Sequence, residues 1–76
     1  MGDTYEILVM DGSRKVQSGS RASQRQAMQF ADELSSLYGG TGYSVQVWLR
    51  LATGRSTHIV TFINGTITYR NPECVI

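Results

Sequence analysis

His58 and Cys74 are the chain's one histidine and one cysteine. Nucleophilic catalysis would be built most readily from this pair, as a thiolate activated by an imidazole within hydrogen-bond reach. Their separation matches no nucleophile–base motif, and Cys74 falls in a segment expected to form a loose tail. One histidine and one cysteine also exclude a His- or Cys-based metal cluster, so neither metal nor cofactor is expected. Asp32 and Glu33 are adjacent on an expected helix and diverge, so they cannot work as a paired acid and base. Gly39-Gly40-x-Gly42 follows a helix and precedes a strand, the reverse of the order that lets a glycine-rich loop cradle phosphate. Asn64-Gly65-Thr66 fits a glycosylation acceptor, but a tight hairpin explains the same residues. These patterns point away from an enzyme.

The remaining chemistry is that of recognition. Arg14, Lys15, Arg21 and Arg25 are four of seven basic residues, and no acid lies between Asp11 and Asp32. Cations beside a helix start oppose the macrodipole by a few tenths of a kcal/mol, a misplacement that can mark an anion site. Phosphate or an acidic protein surface would suit it. A second cluster follows from strand alternation, as set out below.

Seventy-six residues suffice for one domain with a modest core. The hydrophobic fraction is 41%, the charged fraction 17% and the formal net charge +1. Such a chain is neither disordered nor a strongly basic nucleic-acid binder. A lone cysteine fits a reducing compartment, so a cytoplasmic location in a bacterium or phage-infected cell is expected. No apolar run reaches the roughly 20 residues of a membrane span, and no signal peptide is visible. Glu6 stands where a myristoylation motif needs Ser or Thr.

Hydrophobic periodicity predicts the order β-β-α-β-β-β, an α+β domain in which one amphipathic helix covers one face of an antiparallel sheet. Strands are expected at about 4–10, 14–18, 43–51, 57–63 and 66–70, a helix at about 21–38, and a loose tail at 72–76. The first strand is apolar on both registers and reads as central and buried on both sides. Ser23 and Gln26 form a capping box, Ala27, Phe30, Ala31, Leu34, Leu37 and Tyr38 an apolar stripe, and Gly39-Gly40 a stop. Asp11-Gly12, Thr53-Gly54 and Asn64-Gly65 are two-residue turn signals. The first sets Val16 opposite Ile7. The later two place Val45, Val47, Val60, Phe62, Ile67 and Tyr69 together beneath the helix.

The opposite face then carries Gln46, Trp48, Arg50, Thr57, Ile59, Thr61, Thr68 and Arg70, with Trp48 paired to Ile59, His58 opposite Leu49, and Leu8 and Met10 alongside. One helix cannot cover both sides of five strands. An open tryptophan flanked by Ile59, Arg50 and Arg70 has the make-up of a binding hot spot. The stretch Ser20-Arg-Ala-Ser-Gln-Arg-Gln-Ala-Met-Gln-Phe-Ala31, leading into a helix and then glycine-punctuated strands, resembles the layout of some small phage-encoded anti-CRISPR proteins. The resemblance implies a stoichiometric inhibitor that blocks a larger protein or ribonucleoprotein. It transfers no functional residue. The alternatives are a nucleic-acid binder with Lys15, Arg21, Arg25, Arg50 and Arg70 on phosphates and Trp48 stacked on a base, and a homodimer closed over the Trp48 face.

Overall fold

A computed structural model of the chain describes residues 2–73. The expectations for Cys74 and the end of the tail lie outside these residues. Five antiparallel strands form one open sheet in the order β2-β1-β3-β4-β5, and one helix packs on one side of it. The elements are β1 Thr4–Asp11, β2 Arg14–Arg21, α1 Gln24–Leu37, β3 Ser44–Arg50, β4 Ser56–Ile63 and β5 Thr66–Arg70.

β1 lies inside the sheet, between β2 and β3. Its side chains divide: Ile7 and Val9 are fully buried, whereas Leu8 and Met10 are half-buried. The strand is therefore covered on one side only, not two. Ile7 pairs with Val47 and Val9 with Val45, and both pairs face α1. Val60, Phe62 and Ile59 complete the β contribution to a core that Ala27, Ala31 and Leu34 close from above. Each large aliphatic removed from water here contributes roughly 1.5–3 kcal/mol.

The helix begins at Gln24 because Ser23 caps it, its side chain accepting the Gln26 N–H at 3.2 Å. Residues 19–21, expected to be outside the strand or within the helix start, instead extend β2 along β1, as far as Arg21 opposite Tyr5. Pairing to a buried neighbour overrides the weak strand preference of glycine and serine. The buried stripe is Ala27, Ala31, Leu34 and Ser35, with Met28, Phe30 and Tyr38 packed at its margins. Leu37, expected in the stripe, is 75% exposed. The helix is rotated so that Ser35 takes the inner position. Its Oγ accepts the Gly65 N–H at 2.8 Å. Asn64 Oδ1 accepts the Gly40 N–H at 2.9 Å, so the last hairpin clamps the end of α1.

The turns explain the register. Asn64 and Gly65 both have positive φ, +53° and +76°, as a type I′ hairpin requires. The first turn is Gly12–Ser13 rather than Asp11–Gly12, because Asp11 pairs with Arg14. Val9 then meets Gln17, Ile7 meets Gly19, and Val16 is left in a bulge, 37% exposed rather than opposite Ile7. The β3–β4 loop is one residue longer than a two-residue turn. Gly54 N–H donates to Leu51 C=O at 2.9 Å, Leu51 N–H donates to Arg55 C=O at 2.8 Å, and Gly54 has φ +97°. This is a three-residue loop closed by a left-handed glycine.

Candidate functional site

The side of the sheet away from α1 is uncovered among the described residues, and two β-bulges decide what it displays. The longer β3–β4 loop sets Arg50 opposite Ser56, Leu49 opposite Thr57 and Trp48 opposite His58. An extra residue in β4, Ile59, then restores Val47 to Val60 and Val45 to Phe62. A bulged residue leaves the alternation. Ile59 consequently turns beneath the helix and is 2% exposed. The expectation that Ile59 lies beside Trp48 on the open face is thus overturned, and His58 takes that place instead.

A second bulge, at Thr68, shifts β5. Phe62 still meets Ile67, but Tyr69 meets Thr61 and Arg70 meets Val60. Tyr69 therefore moves from the helix side, where alternation alone puts it, to the open side. Arg70 moves the other way, to the helix side of the edge strand, and leaves the Trp48 surface.

These shifts bring three rings from three adjacent strands into one row. Trp48 stacks on His58 with centroids 4.8 Å apart and planes 21° apart, and His58 stacks on Tyr69 at 4.8 Å and 19°. The spacing is that of neighbouring strands, so the rings stand as successive rungs rather than lying flat. Near-parallel stacks at this distance are favourable by about 0.5–1.5 kcal/mol each beyond burial. Polar neighbours fix the rungs. Trp48 Nε1–H donates to Gln46 Oε1 at 2.9 Å, and His58 Nε2 lies 2.8 Å from Thr61 Oγ1. Asn71 holds the His58–Ile59 backbone from outside: its Nδ2 donates to His58 C=O at 2.9 Å and its N–H to Ile59 C=O at 2.8 Å. Partial burial lowers the His58 pKa below 6.5, opposed by the Val60 backbone hydrogen bond.

Around the row lie Leu8, Met10 and Ile63, all half-buried on the same side, with Tyr69 43% exposed at the end. None of Trp48, Leu8, Met10 and Ile63 is among the hydrophobics packed against the core. Arg50 is on this face as expected, but its Nη1 lies 3.4 Å from Glu6 Oε2. Exposed pairs of this kind contribute little and screen easily.

The basic segment is not a helix-start cluster. Arg14 and Lys15 open β2, and Arg21 closes it. The Arg21 guanidinium carbon lies 3.9 Å over the Phe30 ring, and Nη1 donates to Ser20 C=O at 2.6 Å. Gly19 makes room for that ring, since a Cβ there would come within 2.8 Å of Phe30 Cε2. Arg25 alone stands in the first helical turn, exposed, with no acid in that turn. The four cations thus belong to a sheet edge and its flank.

Among the described residues there is no pocket and no group of three or more His, Cys, Asp or Glu able to hold a metal. No helix there is long and apolar enough to cross a membrane. The fold and surface define a small α+β domain with one open, aromatic-bearing sheet face. No protein-family model matches the chain, and neither does any curated protein or solved structure.

Sequence reasoning placed Trp48 correctly but missed His58 and Tyr69. A signal for the first existed. Ile59-Val60 sets two apolar residues side by side in an alternating strand, which is what a bulge leaves in a sequence. Nothing comparable marks Thr68.

Proposed function

We propose that this chain is a non-enzymatic binding module, an inhibitor-type protein of the anti-CRISPR kind that engages a larger protein or ribonucleoprotein stoichiometrically through its open sheet face. One observation carries the reading: Trp48, His58 and Tyr69 form a stacked row on a face that no described element covers. Aromatic rings with few free charges are the usual anchors of protein interfaces. The row is preorganised by Gln46, Thr61 and Asn71, which lowers the ordering cost of binding.

The nucleic-acid alternative has less support. Base stacking uses an open π face, and here each ring presents at least one face to its neighbour. Arg50 sits beside Glu6, and Arg14, Lys15, Arg21 and Arg25 lie on β2 and the helix start, separated by β1 from the strand that carries Trp48.

The test compares capture of partners from a source-cell lysate by the parent chain and by Trp48→Ala and Tyr69→Ala, each checked for retained fold by circular dichroism. The reading expects one saturable stoichiometric partner, lost with either variant. Equal capture by folded variants removes the face as the site. Retention of a short labelled strand at low salt, collapsing as salt rises, would favour nucleic acid instead.

A further inference from the structure

We infer that the free edge of β2 accepts an extended acidic segment of a partner protein as an additional, backbone-paired strand. The inference concerns the sheet edge and stands independently of the Trp48 face. β2 is the outermost strand and, among described residues, pairs only with β1. Eight residues long and exposed along most of its length, it leaves backbone donors and acceptors available to another chain, apart from Ser20 C=O, which accepts from Arg21 Nη1. The bulge at Val16 interrupts its first part, but Gln17–Arg21 pairs with β1 in unbroken register. Ser18, Gly19 and Ser20 in that run are too small to hold an approaching backbone away. The other edge, β5, has five residues, and Asn71 immediately beyond it turns back to donate to Ile59 C=O.

Charge decides the occupant. Arg14 and Lys15 stand at one end of β2, Arg21 at the other, and Arg25 just beyond, with no acid between Asp11 and Asp32. Asp11 lies 4.0 Å from Arg14 in an exposed contact, too weak to neutralise the edge. A second copy of this chain is repelled. Two β2 strands paired antiparallel about Ser18, with Val16 out of register in its bulge, would set Arg14 opposite Arg21 twice, and like charges directly opposite destabilise a ladder. A strand carrying Glu or Asp at the flanking positions reverses both signs. The cations that keep copies of the chain apart thus select for an acidic strand.

The experiment uses the intact chain and three synthetic peptides about as long as β2. One alternates Thr or Val with Glu, the second has the same sequence with alternate backbone nitrogens methylated, and the third replaces Glu by Lys. A short single-stranded oligonucleotide is the fourth probe. Binding is followed by fluorescence anisotropy and by amide NMR shifts. The acidic peptide should bind with shifts centred on Gln17–Arg21 and weaken about tenfold or more on N-methylation, because ladder hydrogen bonds are lost. The Lys peptide should not bind, and Arg14→Glu with Lys15→Glu should weaken the acidic one while leaving the fold intact. No binding at millimolar peptide, equal binding of the methylated peptide, or tighter binding of the oligonucleotide at the same amides would overturn the inference.

Discussion

His58 occupies the middle of the aromatic row, and its environment disfavours a charge there. Burial lowers its pKa below 6.5. The unfolded chain therefore takes up a proton near its ordinary value while the folded chain still refuses it. Stability contributed by this group is complete above about pH 6.5 and falls as pH drops toward the lower folded value. Urea unfolding between about pH 7.5 and 5 should show this loss, and His58→Gln should remove that part of the slope. An unchanged slope in the variant would assign the effect elsewhere. Ile59 tests the bulge at the same scale. Turned into the core, its truncation in Ile59→Ala should cost about 2–5 kcal/mol. Partner capture per folded molecule should be unaffected, whereas Trp48→Ala should show the opposite pattern. Loss of capture by folded Ile59→Ala would return that residue to the surface.

At the scale of the element, the legible features were those with a strong local cause. Asn64-Gly65 gave its hairpin because both residues tolerate left-handed backbone, and Ser23 gave the helix start because its hydroxyl satisfies the Gln26 N–H. The inward set Val45, Val47, Val60 and Phe62 also emerged, although by cancellation. A loop one residue longer than expected and a bulge of one residue at Ile59 offset each other beyond Val47. Between loop and bulge the error shows, and Trp48 and His58 lie in that interval. Tyr69 was illegible because the Thr68 bulge answers to edge-strand pairing, not to local sequence. Ser35 rather than Leu37 takes the inner position because its buried hydroxyl gains a partner in the Gly65 N–H.

That partnership supports a prediction about the helix–hairpin clamp. Gly65→Ala places a Cβ at φ +76° and 3.2 Å from Ser36 Oγ. It should cost about 1–2 kcal/mol for the left-handed backbone alone, and more where the serine cannot yield. Gly12→Ala, at φ +63° with open space around it, isolates the backbone part. Chemical denaturation of both variants measures the difference, and equal losses would show that Ser36 yields freely.

For the whole molecule the question is whether the open face is left for another protein or closed by a second copy. The chain exposes 4822 Å², against about 4,600 Å² for a free-standing monomer of its mass. It is thus as well enclosed as an ordinary monomer. Five strands of five to eight residues present a face of roughly 550 Å² at ordinary strand spacing. A stable pair commonly buries about 800 Å² on each partner. The area of the face is a flat projection rather than accessible surface, and what opposes a face-to-face pair is sheet twist, which reduces the match of two such faces. Edge-to-edge growth through β2 is opposed by Arg14 and Arg21. Both routes to a homodimer are therefore poor, and sedimentation should show one species of monomer mass across about a hundredfold range of micromolar concentration. A doubled mass abolished by Trp48→Ala would instead establish face-to-face dimerisation. A different protein escapes both limits, because it can cover the aromatic row and reach across β1 to pair with the β2 edge as well. Combining Trp48→Ala with Arg14→Glu and Lys15→Glu should then weaken a partner spanning both by the product of the separate effects, as independent sites require. A triple variant no weaker than Trp48→Ala would confine recognition to the sheet face.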